Sequence, residues 1–261
     1  MIKTENIEIW GFEHAIRGMR NPYESWDKSD SHKIIYEFPE NDGTFGLHLD
    51  QVLNSQVSYE IGPKDLKLAK SLFKGGTEHR KYLRQIFVSM DITAPLYWWK
   101  EFDTYKVGTV ANSSSTMHLI AERPISMNDF SCEHLGYYDV DVWASSSFTL
   151  EDEQPYKDMA IGRPEDDYYP MDLLMDIIDM LNHNRSLYKE TGDKKYWWQI
   201  IQLLPSSYNQ KRTVTMNYEN VATIIKQRSN HKLDEWRTFI WVLKQLPYVK
   251  DIMLDDSEDK G

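Results

Sequence analysis

The sequence contains a single cysteine, Cys132, among its 261 residues. One thiol excludes an intramolecular disulfide and a thiolate cluster around a metal, and both absences suit a reducing cytoplasm. No apolar run approaches the length that a membrane span needs, and the first ten residues lack the apolar core of a signal peptide. We therefore expect a soluble cytoplasmic protein that does not bind a membrane.

Positive charge is also scarce, because 30 lysines and arginines stand against 41 aspartates and glutamates, for a formal net charge of -11. Proteins hold long nucleic acids mainly through a basic surface that releases counterions from the phosphates. This chain would repel a long nucleic acid overall, so we exclude that class of partner. A small anion in a local basic pocket remains compatible with the composition.

The common catalytic signatures are missing as well. The sequence has no phosphate-binding loop, no Gly-x-Ser-x-Gly elbow and no His-Glu-x-x-His pair, and its eight histidines are not spaced as metal ligands. These absences argue against a hydrolase or a metalloenzyme. We predict no metal site, and no residue can be assigned as catalytic from such patterns.

Apolar residues are present in quantity, at 41% of the chain with 13% aromatic, which is enough for one large core. Their spacing predicts a mixture of helices and strands. A short run rich in β-forming residues at 33–38 and alternation over 85–95 predict strands, and helical periodicity predicts helices over 65–74, 169–188, 193–204, 217–228 and 233–246. Asn217 is the predicted N-cap of the fourth of these helices.

Two segments do not follow either periodicity. Residues 121–170 are rich in acids, aromatics, serine and proline, and we interpret them as an irregular insertion in a single domain that spans 1–250. Residues 251–261 are acidic and have nothing to bury, so we predict a disordered tail.

The stretch from Tyr97 to His118 carries two adjacent tryptophans, two acids, two lysines and a run of hydroxyl residues. It is predicted to begin as a helix after Pro95 and to continue as a loop. In one interpretation Lys106 and the loop hydroxyls cradle a phosphate beside an aromatic wall. In the other, Trp98 and Trp99 are core or subunit contacts and the loop binds nothing.

The order of several short motifs separates these interpretations. His79 precedes the strand, Ala94 and Pro95 begin the helix, and Thr104 to Lys106 follow it. Downstream, a characteristic set of distances in the sequence separates Pro205, Thr215, Asn217 and Arg228. In this layout the segments 79–118 and 203–236 resemble the flavin-dependent thymidylate synthases.

The resemblance includes departures from the family's charged motif. Thr104, Tyr105 and Lys106 stand where the family has Arg-His-Arg, and Thr116 stands where an arginine normally binds the substrate phosphate. Lys232 occupies the place of a family histidine, with His231 one residue earlier. Each charged hydrogen bond lost in this way typically costs about 1.5 to 3 kcal/mol. The ligand or the activity should therefore differ from those of the family.

The resemblance implies an α+β fold with a central antiparallel sheet flanked by helices, in a homotetramer. It implies FAD as cofactor, NADPH and methylenetetrahydrofolate as co-substrates, and methylation or hydroxymethylation of a deoxyuridine-type nucleotide. The alternative is a non-catalytic protein of the same fold that binds or sequesters a nucleotide. The implied nucleotide-binding residues are Lys106, Asn112, Ser113, Ser114, Ser115, Thr116 and Arg228. The implied cofactor-binding residues are His79, Thr104, Tyr105, Lys106, Asn217 and Lys232.

Overall fold

The computed structural model describes residues 2–34, 59–136 and 169–254, and it shows an α+β fold with an antiparallel sheet. The strands are β1 (Lys3–Trp10), β2 (His32–Lys33), β3 (Tyr59–Glu60), β4 (Phe87–Pro95), β5 (Thr109–Ser113) and β6 (Asn209–Asn217). The helices are α1 (Phe12–Arg20), α2 (Pro63–Lys74), α3 (Leu96–Phe102), α4 (Thr116–Leu119), α5 (Pro170–Thr191), α6 (Lys194–Leu203), α7 (Tyr218–Arg228), α8 (Asp234–Gln245) and α9 (Val249–Met253).

Internal contacts divide the chain into two compact units. The sheet unit comprises Ile2–Ser114 and Gln210–Gly261, and the helical unit comprises Ser115–Asn209. The single domain predicted over 1–250 stays a prediction. No helix among the described residues is long and apolar enough to cross a membrane.

The main sheet of the sheet unit has the strand order β1-β4-β6-β5. The β1–β4 and β5–β6 pairs are antiparallel, with Thr4 opposite Ile92 and Val110 opposite Thr215. On β4, alternate residues are fully buried while those between them are partly exposed, which confirms the predicted alternation. A side-chain bond of 2.6 Å from Thr213 to Asp91 adds to the link between β6 and β4.

An aromatic cluster forms the core behind α3. Trp98 is fully buried, and its ring centroid lies 4.8 to 5.3 Å from those of Trp99, Phe102, Trp236 and Phe239. These separations are typical of offset and edge-to-face aromatic pairs. The two adjacent tryptophans are therefore core residues, and the phosphate-binding role of the loop that follows them stays a prediction.

A buried ion pair fastens α1 to α2. Nε of Arg20 lies 2.5 Å from Oδ1 of Asp65, and the two side chains are 6% and 0% exposed. The other carboxylate oxygen of Asp65 accepts bonds of 2.6 Å from the hydroxyls of Ser29 and Ser31. Because both oxygens of Asp65 accept hydrogen bonds and its charge is paired with Arg20, the carboxylate is tolerated in the core. It holds the segment before β2 against the start of α2.

The helical unit has its own core, in which α5 and α6 pack over the segment after α4. The buried residues of this core are Ile120, Ile125, Phe130, Met171, Leu174, Ile178, Leu181 and Ile200. The side-chain amide of Asn182 bonds both N and O of Ile125 at 2.8 Å, in the manner of a strand partner. The first part of the predicted irregular insertion is thus packed onto α5, while residues 137–168 lie outside the described part of the chain.

The five helices predicted from periodicity are confirmed by α2, α5, α6, α7 and α8, the helix predicted after Pro95 is confirmed by α3, and Asn217 caps α7 as predicted. The sequence did not predict β1, β3, β5, β6, α1, α4 or α9. β5 was not predicted because four of its five residues are exposed, so the strand has no alternation of buried and exposed positions. Residues 251–253, assigned to the tail, lie in α9 because Ile252 is buried, and 255–261 lie outside the described residues. Most of the strand predicted at 33–38 also lies outside them.

Candidate functional site

A cavity of about 560 Å³ opens beside α7 in the sheet unit. It is lined by Arg84, Thr104, Tyr105, Val107, Gly108, Asn217, Glu219, Asn220, Thr223 and Gln227. We call it the α7 cavity. Three parts of the sequence form it. They are Arg84 in the short turn of helix before β4, the turn after α3, and the polar face of α7, where Glu219, Thr223 and Gln227 follow one another at four-residue spacing.

The turn is held against α7 by side-chain amides. Oδ1 of Asn217 accepts the backbone N–H of Asn220 at 3.0 Å, which is the N-cap of α7. Nδ2 of Asn220 donates to the carbonyl of Val107 at 2.8 Å and to the hydroxyl of Thr109 at 2.6 Å. Gly108 has a positive φ of 76°, and a Cβ there would lie 2.6 Å from Nδ2 of Asn217. Glycine therefore permits the close approach that shapes the cavity.

Arg228, at the end of α7, belongs to a second polar cluster next to the α7 cavity. It donates from Nε to the hydroxyl of Tyr105 at 2.9 Å and from a terminal nitrogen to Oε2 of Glu101 at 2.8 Å. Its guanidinium carbon also lies 4.7 Å from the ring centroid of Trp236. Tyr105 lines the cavity and donates onward to Gln227 at 3.0 Å. Tyr105, from the middle of the chain, is therefore in contact with Arg228, near its C-terminal end.

Oε2 of Glu101 is the centre of this cluster. Besides Arg228, it accepts the indole N–H of Trp236 at 2.8 Å, and Nε2 of His231 lies 3.1 Å away. Arg228 and Glu101 are 19% and 34% exposed, so their attraction is only partly screened. The guanidinium of Arg228, which the resemblance assigned to nucleotide binding, is already paired with a carboxylate.

The structure brings three of the predicted cofactor-binding residues together. Thr104, Tyr105 and Asn217 all line the α7 cavity. Lys106 is exposed on the same turn but is not among the lining residues. His79 and Lys232 are exposed elsewhere in the sheet unit, so their cofactor roles stay predictions.

The predicted hydroxyl run does not form a free loop. Asn112 and Ser113 lie in β5, opposite Thr213 and Arg212. Ser114 donates from both its backbone N and its hydroxyl to the carbonyl of Lys211, at 2.9 and 3.0 Å. These backbone groups are consequently engaged in extending the strand pairing. Their nucleotide-binding role stays a prediction.

The last two residues of that run begin the helical unit. Ser115 is the N-cap of α4, with its hydroxyl accepting the N–H of His118 at 3.3 Å, and Thr116 is the first helical residue. Both side chains are half-buried. Their assignment to the nucleotide site also stays a prediction.

Sequence reasoning missed Arg84, Glu219, Asn220, Thr223 and Gln227, which the structure places around the cavity. A signal for three of them was available, because Glu219, Thr223 and Gln227 make a polar stripe on a helix whose opposite face is apolar. Arg84 had no such signal, since it follows α2 in a short turn of helix.

The sequence matches no family model and no curated protein. Its fold matches two crystal structures of the flavin-dependent thymidylate synthase ThyX from Helicobacter pylori, both with FAD and dUMP. One has a TM-score of 0.56 at 15% identity over 97% of this chain and 98% of that chain. The other has a TM-score of 0.56 at 14% identity over 98% of each chain. At such identities the likeness establishes the fold, so this chain has the fold of the flavin-dependent thymidylate synthases.

Proposed function

We propose that the chain is a flavin-dependent one-carbon transferase for a deoxyuridine-type nucleotide, with the α7 cavity as its binding site. The observation that carries the proposal is the convergence of Thr104, Tyr105 and Asn217 on one cavity, because the resemblance assigned these three residues to the cofactor. The ThyX structures of the same fold hold FAD and dUMP, which supports the same classes of ligand here. Methylation and hydroxymethylation both remain within the proposal.

The lining residues suit the flavin ring of FAD but not its diphosphate. Amide groups of Asn217 and Gln227 can bond the polar edge of a flavin or pyrimidine ring. Among the lining residues, however, Arg84 is the one cation, and Glu219 brings a carboxylate. A diphosphate needs several donors or cations around it, so the cavity fits a heterocyclic ring and does not fit the diphosphate.

A second candidate is a non-catalytic protein that binds or sequesters a nucleotide. The ion pair between Arg228 and Glu101 favours it, since the cation at the best-matched position is neutralised by its own chain. Threonines at 104 and 116, where the family has arginines, point the same way. A change from an enzyme to such a binding protein would keep the fold and its cavity while losing the arginines that bind phosphate.

Purified protein distinguishes the two candidates. The enzyme should show flavin absorption or acquire it with added FAD. It should also transfer a labelled carbon from methylenetetrahydrofolate to dUMP when NADPH is supplied, with the product identified by mass spectrometry. A colourless protein that binds dUMP without turnover supports the second candidate. Failure to bind either ligand overturns both. Light scattering on the same sample tests the proposed homotetramer.

A further inference from the structure

The outward face of α2 is basic in a chain that is acidic overall. Residues 63–85 hold seven lysines and arginines against two acids, although the whole chain has a net charge of -11. The residues on the outward face of α2 include no acid, and they are Pro63, Lys64, Lys67, Lys70, Ser71 and Lys74. Lys64, Lys67 and Lys70 follow one another at three-residue spacing, which makes them neighbours on the helix surface. We call these three lysines the α2 stripe.

The ammonium groups of the α2 stripe are not neutralised within the described part of the chain. Other lysines have a carboxylate within reach, as Lys3, Lys189 and Lys211 do at 2.8, 3.2 and 3.1 Å. No salt bridge among the described residues involves the stripe, and the one acid of α2, Asp65, is buried and paired with Arg20. Like charges on one helix face repel one another, so a ligand with negative groups relieves that repulsion.

The short turn of helix before β4 connects α2 with the α7 cavity. The hydroxyl of Tyr82 in this turn donates to the carbonyl of Ala69 on α2 at 2.9 Å, and Arg84, two residues later, lines the cavity. Arg80, just before the turn, donates from Nε to the cavity residue Glu219 at 3.0 Å. The Arg84 side of the cavity is therefore next to α2.

The charge of the rest of the chain limits the size of an anionic ligand. The α2 stripe covers six residue steps of helix, or about 9 Å. A long polyanion would extend beyond the stripe and be repelled by the net negative charge of the chain, whereas a short one stays within it. Lysine ammonium groups are point charges on flexible stems, and they bind carboxylates without a fixed geometry. The stripe therefore suits a short, flexible chain of carboxylates.

We propose that the α2 stripe binds the glutamate tail of the folate co-substrate. Methylenetetrahydrofolate ends in a glutamate, and each further glutamate joined through a γ-carboxyl group adds one carboxylate to a flexible chain. The inference rests on the proposed function for the identity of the ligand, and it assigns that ligand a contact outside the α7 cavity. The protein therefore prefers a folate with several glutamates to a folate with one.

Calorimetry with the unaltered full-length chain tests this preference without requiring turnover. The two probes are tetrahydrofolate with one glutamate and tetrahydrofolate with five. At about 50 mM salt the five-glutamate form should bind about tenfold more tightly, because several exposed ion pairs each contribute a small amount. At about 0.5 M salt the ratio should fall below about threefold, since salt screens exposed charges. Equal affinities at low salt, or no binding of either probe, overturn the proposal.

The second test removes the charges of the α2 stripe. A variant that combines Lys64→Gln, Lys67→Gln and Lys70→Gln should reduce the affinity ratio of the two probes to less than about threefold at low salt, with folding verified by circular dichroism. The matched control removes the same charge at three exposed lysines elsewhere, by Lys3→Gln, Lys100→Gln and Lys194→Gln. In the control the ratio should stay at about tenfold. A ratio that is unchanged in the stripe variant, or that falls equally in both variants, contradicts the proposal.

Free γ-linked pentaglutamate distinguishes the folate tail from an acidic peptide. If it binds as tightly as the five-glutamate folate, the stripe serves acidic peptides and the inference is overturned. The two proposals also fail in different ways. Equal binding of the two folates, with carbon transfer to dUMP, retains the enzymatic function and overturns this inference. A preference for the five-glutamate folate without carbon transfer retains this inference and overturns the enzymatic function.

Discussion

Arg228 donates a 2.8 Å hydrogen bond to Oε2 of Glu101, across 127 positions of sequence. Glu101 belongs to α3, in the stretch whose Lys106 and hydroxyl groups were predicted to hold a phosphate. The pairing therefore sets how much positive charge this end of the site can present to a ligand.

Replacing Glu101 with glutamine should release that charge. Glu101→Gln keeps an oxygen for Trp236 and removes the negative charge beside Arg228, so the ratio of dUMP to deoxyuridine affinity should rise by about tenfold. Calorimetry of both ligands measures the ratio. Glu8→Gln, on the exposed side of β1, is the control. If the ratio does not change, Arg228 does not face the ligand and its predicted role is wrong.

Removing one partner of the buried pair of Arg20 and Asp65 should strongly destabilise the fold. Arg20→Met leaves Asp65 buried without its cation, and we expect the free energy of unfolding to fall by about 3 to 5 kcal/mol. Chemical denaturation monitored by tryptophan fluorescence measures the change. Arg17→Met, on the exposed face of the same helix, should stay within about 0.5 kcal/mol of the parent. Equal effects of the two variants would contradict the importance of the pair.

Stability should also depend on pH through Asp65. Burial alone would raise the pKa of Asp65, but bonds from Ser29, Ser31 and Arg20 outweigh it and hold the pKa below the ordinary value of 3.8. The carboxylate therefore stabilises the fold above that value, and the stabilisation is lost as the pH falls through the lowered pKa. The difference in unfolding free energy between the parent and Asp65→Asn should shrink between about pH 5 and pH 2. A difference that is constant over this range would exclude the linkage.

Gly108 should tolerate alanine less well than Gly76 does. Both have positive φ, so alanine at either position should cost about 1 to 2 kcal/mol of backbone strain. Only at Gly108 does the new Cβ meet a neighbour, Nδ2 of Asn217 at 2.6 Å, and we expect about 1 to 3 kcal/mol more there. Paired denaturation curves of Gly108→Ala and Gly76→Ala test the difference. Identical midpoints would show that the turn relaxes freely.

The elements that sequence reasoning predicted are those whose signal is local. The alternation on β4 reflects a strand with one face in the core, and Asn217 marks the start of α7 because its side chain caps the helix within three residues. The charged residues Lys211 and Arg212 obscure the strand pattern of β6 in the sequence. The strand is defined instead by its pairing with both β4 and β5. Pairing partners so distant in sequence leave no local trace.

The sequence alone determined the helices α2, α3 and α5 to α8, the buried strand β4 and the residue types available for a site, because periodicity, caps and composition are properties of neighbouring residues. Tertiary structure decided which of those residues meet. It placed Tyr105 and Asn217 on one cavity, gave Arg228 the partner Glu101, and left one oxygen of Glu219 without a donor. Charge balance at a site depends on distances between remote segments, so it follows from the folded chain and not from the order of its residues.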